Sequence, residues 1–338
     1  MRFPEFSGEW DEYAIGEILS IGNGRDYKHL HNGDIPVFGT GGYMTSVDDF
    51  LYDGESVFVG RKGTINKPLY YNGKFWTVDT LFYTYNFTDV LPKFVYCLFQ
   101  TINWLKYNEA SGVPSLSKAT IEKIKVRIPS MDEQDKLSNL LFLLDKRIEV
   151  QNKIIEKLET LIKGIIETVI SLQKPNTFIK DCLECNSSIL QESQVAEYGA
   201  SPVYGATGIT GYTEAADVNG ESILIIKDGS GVGTVKYVTG EYSYIGTLNR
   251  LIAKDGYYLK YIYFALQGFS FEPYKTGMAI PHIYFKDYGK AKIFCPTIEK
   301  QSAIAQKLSS TEDKVSVEKQ ILFYYQVQKS YLLSQMLI

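Results

Sequence analysis

The side chains best suited to chemistry are few and scattered. Cys182-Leu183-Glu184-Cys185 has the spacing of half a zinc site or of a redox pair. A closed tetrahedral site needs a second cysteine pair or two nearby histidines. His29, His31 and His282 are the only histidines, and all lie far off in sequence. These thiols, with Cys97 and Cys295, are expected to be structural, and no metal is expected. Gly229-Ser230-Gly231-Val232-Gly233 follows an apolar run, as a phosphate-cradling loop would. However, Thr234-Val235-Lys236-Tyr237-Val238 behind it reads as a strand, where a phosphate loop needs a helix N-terminus. A hairpin turn is therefore expected. Asp26-Tyr27-Lys28 offers one carboxylate beside a lysine, too little to hold the magnesium ion of a nuclease. There is no G-x-x-x-x-G-K-[ST] for ATP, no G-x-S-x-G elbow and no evident base for a nucleophile. The chain is expected to bind rather than to catalyse.

The elements that would position a binding surface come from an internal repeat. Pro36-Val37-Phe38-Gly39-Thr40-Gly41-Gly42 returns, 166 residues further on, as Pro202-Val203-Tyr204-Gly205-Ala206-Thr207-Gly208. At the same offset Gly54-Glu55-Ser56 returns as Gly220-Glu221-Ser222, each before an apolar run. One residue later in register, Lys93-Phe94-Val95-Tyr96 matches Lys260-Tyr261-Ile262-Tyr263, Pro129 matches Pro296 and Gln134 matches Gln301. A period this long is a duplicated domain, not a solenoid. Each copy opens with short β-type runs broken by Gly, Asn and Asp. Asn72-Gly73 and Thr239-Gly240 read as hairpin turns. An amphipathic helix follows near 91–107 and near 258–269, then a proline, then a long helix.

The chain has 338 residues, 45% of them hydrophobic and 22% charged, enough apolar material for two ordinary cores. Its 26 Tyr and 18 Phe suit strands and contact surfaces with one wet edge. The opening Met1-Arg2-Phe3-Pro4-Glu5-Phe6 has no apolar run of signal-peptide length, and Lys163 and Glu167 interrupt the most apolar helical stretch. No membrane span and a cytoplasmic location are expected.

The first long helix carries the strongest periodicity. Leu137, Leu144, Gln151, Leu158, Ile165 and Leu172 recur every seventh residue, with Leu141, Ile148, Ile155, Ile162 and Val169 four residues after them. This is a coiled-coil seam sustained over about five heptads. The second helix offers Ile304, Leu308, Thr311, Val315, Leu322, Tyr325, Leu332 and Met336, with Glu318 and Lys329 interrupting the seam. Each helix of roughly 40 residues would be about 60 Å long. The two are expected to pair with each other, antiparallel, with the β-rich domains at opposite ends. Pairing of each helix within a homodimer is the alternative.

Several segments resemble the specificity subunits of type I restriction-modification systems. They are Phe3-Pro4-Glu5-Phe6 with Gly8 and Trp10, Pro36-Val37-Phe38-Gly39 with Gly42, and Val59-Gly60-Arg61-Lys62-Gly63. Trp76-Thr77-Val78-Asp79-Thr80-Leu81 and Ile128-Pro129 followed by Glu133-Gln134 complete the set. Each is weak alone; the ordered set, in a chain duplicated throughout, is specific. The resemblance implies an α+β fold with target recognition domains at 1–128 and 175–296 and long spacer helices at 129–174 and 297–338. Each domain would read one half of a split sequence in double-stranded DNA. The helices would dock two adenine methyltransferase subunits, and restriction subunits would join through these. Methylation and ATP-dependent cleavage would belong to those partners, which would bind S-adenosylmethionine and ATP, leaving this chain without cofactor or catalysis.

A net charge of −4, with −2 on each of 1–128 and 175–296, argues against tight DNA binding by the chain alone. Partner subunits closing around the duplex are expected to supply the rest. Base readers are sought on predicted turns. In the first domain these are Thr40, Tyr43, Arg61, Lys62, Lys67, Trp76, Ser115, Ser117 and Lys118. In the second they are Thr207, Thr210, Lys227, Ser230, Lys236, Asn249, Arg250, His282 and Tyr284. Arg61 and Arg250 could fork onto guanine, and Asn249 onto adenine. The rival reading is a coiled-coil scaffold with two peptide- or glycan-binding β domains, which the many tyrosines would also suit.

Overall fold

The computed structural model describes residues 2–337. The chain forms two compact units, Met1–Asn152 with Gln320–Ile338, and Lys153–Lys319. Each unit therefore contains one β-rich head and a stretch of both long helices.

The first head holds β1 (Asp11–Ala14), α1 (Ile15–Ile18), β2 (Ser20–Asn23), β3 (Asn32–Gly39), β4 (Gly42–Val47), β5 (Tyr52–Gly60), β6 (Leu69–Thr77) and β7 (Leu81–Tyr85). Then come α2 (Pro92–Thr101), α3 (Lys118–Glu122) and β8 (Lys125–Ile128), which closes the head by pairing with β1. Six strands form one sheet in the order β2-β7-β5-β6-β3-β4. In β5, successive side chains take opposite faces and both faces are covered. Val57 and Val59 join the α2 core of Phe94, Val95, Leu98 and Phe99. Phe58 faces the other way into a cluster with Phe38, Phe75 and Leu81, its ring 4.7 Å from that of Phe75.

The second head repeats the plan with β9 (Thr177–Phe178), α5 (Ile179–Cys182), β10 (Leu183–Ser187), β11 (Ser201–Gly205) and β12 (Gly208–Thr213). It continues through β13 (Val218–Asn219), β14 (Ser222–Ile226), β15 (Val235–Val238), β16 (Glu241–Tyr244) and β17 (Leu248–Ala253). It ends with α6 (Leu259–Gln267), α7 (Phe285–Tyr288) and β18 (Lys292–Ile293). Its strands form two four-stranded sheets, β10-β17-β14-β15 and β12-β11-β16-β13, and β9 pairs with β18. The Gly229–Gly233 run is the expected hairpin turn, since β14 and β15 on either side pair antiparallel.

The other two hairpin expectations are corrected. Asn72-Gly73 lies inside β6, and Gly73 sits opposite Gly54 of β5. Thr239-Gly240 separates β15 from β16, which pair with other strands and not with each other. Both sites mark the same device. Gly54, Gly73, Gly220 and Gly240 all have positive φ, a conformation open to glycine and strained for other residues. In the second head Gly220 donates its N–H to the Gly240 carbonyl at 3.0 Å. The strand pair bends at this glycine pair. It stays continuous in the first head and divides into two sheets in the second. The local dipeptide could not reveal this, because the partner glycine lies 19 residues away in sequence (Gly54 to Gly73).

A second repeated device fixes each head to its helix. Gln134 is fully buried; its Oε1 accepts the Leu91 N–H at 2.8 Å, and its Nε2 donates to the carbonyls of Asp89 and Pro129. Gln301 does the same for Tyr258 N–H and the Pro296 carbonyl. Each glutamine satisfies a backbone N–H at the start of α2 or α6, where the first turn has no partner of its own.

The long helices are α4 (Met131–Ile165), extended by a π-helical turn over Ile166–Ser171, and α8 (Ile298–Met336). Along the expected seam Leu137, Leu141, Leu144, Ile155, Ile162, Leu308 and Val315 are buried. Ile148, Leu158, Ile165, Ile304, Leu322, Tyr325 and Leu332 are half-buried. Val169 departs from expectation at 38% exposed, as does Leu172 at 71%. The cause is the π turn, in which Leu172 N–H reaches back to Glu167 O. Its wider spacing moves the buried stripe onto Ile166 and Ile170. Within the first unit Leu137 and Leu141 share a core with Met336 and Leu337. There the Lys329 ammonium meets Asp145 and donates to Gln100 Oε1 at 2.6 Å. Within the second unit Lys319 pairs with Glu159 at 2.7 Å. Among the described residues no helix is long and apolar enough to cross a membrane.

Candidate nucleic-acid interface

At one rim of each head, three loops are tied together by the same backbone hydrogen bonds. In the first head, Arg61 N–H donates to Thr80 O at 2.8 Å, Leu116 N–H to Arg61 O at 2.9 Å, Gly63 N–H to Pro114 O at 2.8 Å and Glu109 N–H to Ser115 O at 2.9 Å. In the second, Lys227 N–H donates to Thr247 O at 3.0 Å and Ile283 N–H to Lys227 O at 2.9 Å. There Gly229 N–H donates to Pro281 O at 2.9 Å, and Thr276 N–H to His282 O at 2.9 Å. An isolated β-bridge joins Lys62 to Ser115 in one head and Asp228 to His282 in the other. Every bond has its counterpart at the repeat offset. The positions thus correspond one to one: Arg61 with Lys227, Lys62 with Asp228, Ser115 with His282, and Ser117 with Tyr284.

This frame gathers most of the first head's expected readers. Arg61 and Lys62 are exposed, and the Arg61 guanidinium is steadied by the Asp79 carbonyl at 3.3 Å. Thr40, on the β3–β4 turn, has its hydroxyl close to where Gly63 would carry a Cβ. Ser117 caps α3 by accepting the Thr120 N–H at 3.2 Å, which places Lys118 in the first turn. The hydroxyls of Thr120 and Ser117 hold the Glu109 carboxyl below its usual range, so this rim also contains a firm anion. Lys67 is exposed on the loop before β6, and Tyr43 is exposed on β4 with its hydroxyl 3.1 Å from Ser46 Oγ.

In the second head, Lys227, His282 and Tyr284 lie on the frame, the His282 and Tyr284 rings meeting edge to face at 5.0 Å. Ser230 is exposed on the glycine turn and Thr207 on the β11–β12 turn. Thr210 lies on β12, where its hydroxyl donates to Glu192 at 2.8 Å. Lys236 lies on β15 with its ammonium 4.6 Å above the Tyr204 ring.

The expected turn placement is corrected for Tyr43, Thr210, Lys236, Trp76, Asn249 and Arg250, which all lie in strands, and of these Trp76 and Asn249 are buried. Trp76 is 4% exposed in β6, and its indole N–H donates to Arg25 O at 2.8 Å. It belongs to the core. Asn249 is 5% exposed in β17 and its Oδ1 accepts from Ser187 Oγ at 2.7 Å, so its amide is not free to fork onto adenine. Arg250 is half-buried beside it, with Nε donating to Ser222 Oγ at 3.3 Å. Its charge opposes the upward push that burial gives the Tyr242 phenol.

Two rim residues escaped the sequence reading. Arg25 is exposed, and its N–H bonds Thr77 O at 2.8 Å. It lies in the stretch where the repeat is least visible, so no signal marked it. Asp228 could have been found, since it stands at the repeat offset from Lys62. The cysteines lie elsewhere. Cys182 is buried in α5, and burial pushes the half-buried Cys185 thiol up to about 11.

The family described as "Type I restriction modification DNA specificity domain" matches this sequence twice, over residues 7–160 and 176–323. The chain belongs to that family. It is a DNA specificity subunit, a class that is generally non-catalytic, and the peptide- or glycan-binding scaffold loses its footing. The fold agrees. A type I restriction-modification S subunit from M. genitalium is similar, with a TM-score of 0.77 at 18% identity over 98% of both chains. A chain from work described as "Structural basis underlying complex assembly and conformational transition of the type I R-M system" gives 0.56 at 12% identity, again over 98% of both. No curated protein sequence matches this specificity subunit.

Proposed function

We propose that each head reads one half of a bipartite sequence in double-stranded DNA. The observation that carries this is the rim frame, alike in backbone and unlike in side chains. A shared frame presents both heads to the same kind of surface, and different side chains on it select different bases. In this reading α4 and α8 pair as an antiparallel coiled coil that sets the half-site spacing. Two contacts support it: within the first unit Lys329, late in α8, meets Asp145, early in α4, and within the second Lys319, midway along α8, meets Glu159, late in α4.

Two methyltransferase subunits dock on these helices. In the first unit Leu143 and Val150 of α4 are 52% and 47% exposed, one heptad apart on a face outside the seam. In the second, Ile154 and Leu161 repeat that spacing, exposed too. Exposed apolar stripes of this kind mark protein contact. Restriction subunits join through the methyltransferase, and S-adenosylmethionine and ATP bind on the partner chains.

The test is co-expression with the host's methyltransferase, purification of the complex and mapping of methylated adenines across the genome. A split motif with two dissimilar halves is expected. A continuous or palindromic motif contradicts the reading.

A further inference from the structure

We infer that the second residue of the rim frame is a specificity-determining position in each head, Lys62 selecting guanine and Asp228 selecting cytosine. This rests on the reading of the heads as half-site readers. The two residues occupy one backbone position, fixed by the bridges to Ser115 and His282 and by the bonds of their neighbours Arg61, Gly63, Lys227 and Gly229. Neither side chain has a hydrogen bond or ion pair among the described residues. Lys62 is exposed and Asp228 is half-exposed, so both carry polar groups that a ligand can pair.

The charge reversal decides what kind of contact the position makes. A position that touched the phosphate backbone in both heads would need a cation or a neutral donor in both, because a carboxylate is repelled by phosphate. Asp228 is a carboxylate. Against a duplex its favourable partners are the amino groups on base edges, and the cytosine N4 amine in the major groove is the established match for Asp or Glu. The same position in the first head holds an ammonium, which pairs with the O6 and N7 acceptors of guanine. The preceding residue is cationic in both heads, Arg61 and Lys227, and is the one suited to a phosphate. The frame thus separates two roles on adjacent residues: a constant cation that positions and a variable neighbour that reads.

The experiment uses the complex with its methyltransferase and selects bound duplexes from a randomised library, with Lys62→Asp, Asp228→Lys and the milder Asp228→Asn. Lys62→Asp is expected to change one base of the first half-site, from guanine toward cytosine, by roughly tenfold or more in preference, with the second half untouched. Asp228→Lys should change one base of the second half in the opposite sense. Asp228→Asn should move it toward adenine. A uniform loss of binding with no new preference would make the position a phosphate contact and overturn the inference, as would an unchanged motif. Exchange of residues 1–128 for another head, run alongside, separates the two levels. If that exchange alters one half of the motif while Lys62→Asp does not, this inference fails and the half-site reading stands. If neither alters it, the half-site reading itself fails.

Discussion

The two heads share strand order, the buried glutamine, the glycine bend and the rim bonds, yet they differ in how the sheet crosses the bend and in what the rim carries. In the first head β5 and β6 pass the bend as single strands. In the second the same path is cut into β13 with β14 and β15 with β16. The rim differs more sharply: Arg61-Lys62 against Lys227-Asp228, and Ser115 against His282. Backbone bonds that recur to within about 0.2 Å (2.8 against 3.0 Å at the first of them) hold side chains of opposite charge. The scaffold is kept where bonding is backbone to backbone. It is varied in the side chains that this backbone frame presents at the rim.

The comparison can be broken at the shared devices. The largest effect is expected where a long helix ends inside the second unit. Ile170→Ala should cost about 3 kcal/mol by opening a cavity. Val169→Ala, on the exposed side of the π turn, should stay within about 0.5 kcal/mol. Urea unfolding of the two variants checks the shifted register; equal losses would restore the uninterrupted heptad.

Next come the glutamines. Gln134→Leu leaves a buried N–H and two carbonyls unpaired and should cost about 3 kcal/mol, Gln301→Leu about 2 kcal/mol with fewer bonds lost. Hydrogen exchange should show protection lost around α2 in the first variant and around α6 in the second. Loss spread over both heads would deny that each glutamine serves its own unit.

The smallest effect belongs to the bend. Gly73→Ala and Gly240→Ala should each cost on the order of 1 kcal/mol, because alanine is strained at positive φ. Thermal unfolding that shows no loss at either would remove the bend from the list of shared devices.

Much of this was legible in the sequence. Pro36 to Gly42 against Pro202 to Gly208 exposed the duplication. The Gln134–Gln301 match carried the repeat into the start of each long helix, while the bonds that make these residues a head–helix joint depend on Leu91 and Tyr258, more than 40 residues away. Leu137 to Ile162 gave the buried stripe of α4. What escaped has physical causes. Asn72-Gly73 has the composition of a turn, but its environment is set by Gly54 on a distant segment. The π turn follows from packing around Ile166 and Ile170, which a strict seven-residue count cannot anticipate. Trp76 and Asn249 are residue types that read bases well, and only the strand face they occupy shows them buried. Asp228 was overlooked because an acid is not sought where phosphates are expected, although the repeat marks its place.

We propose that the two heads act as separate readers. The most direct measurement is to replace residues 1–128 with the corresponding head of a relative, form the complex with the methyltransferase and map methylated adenines. One half of the motif should change, with the other half and the spacing retained. A motif altered in both halves, or in neither, would contradict it.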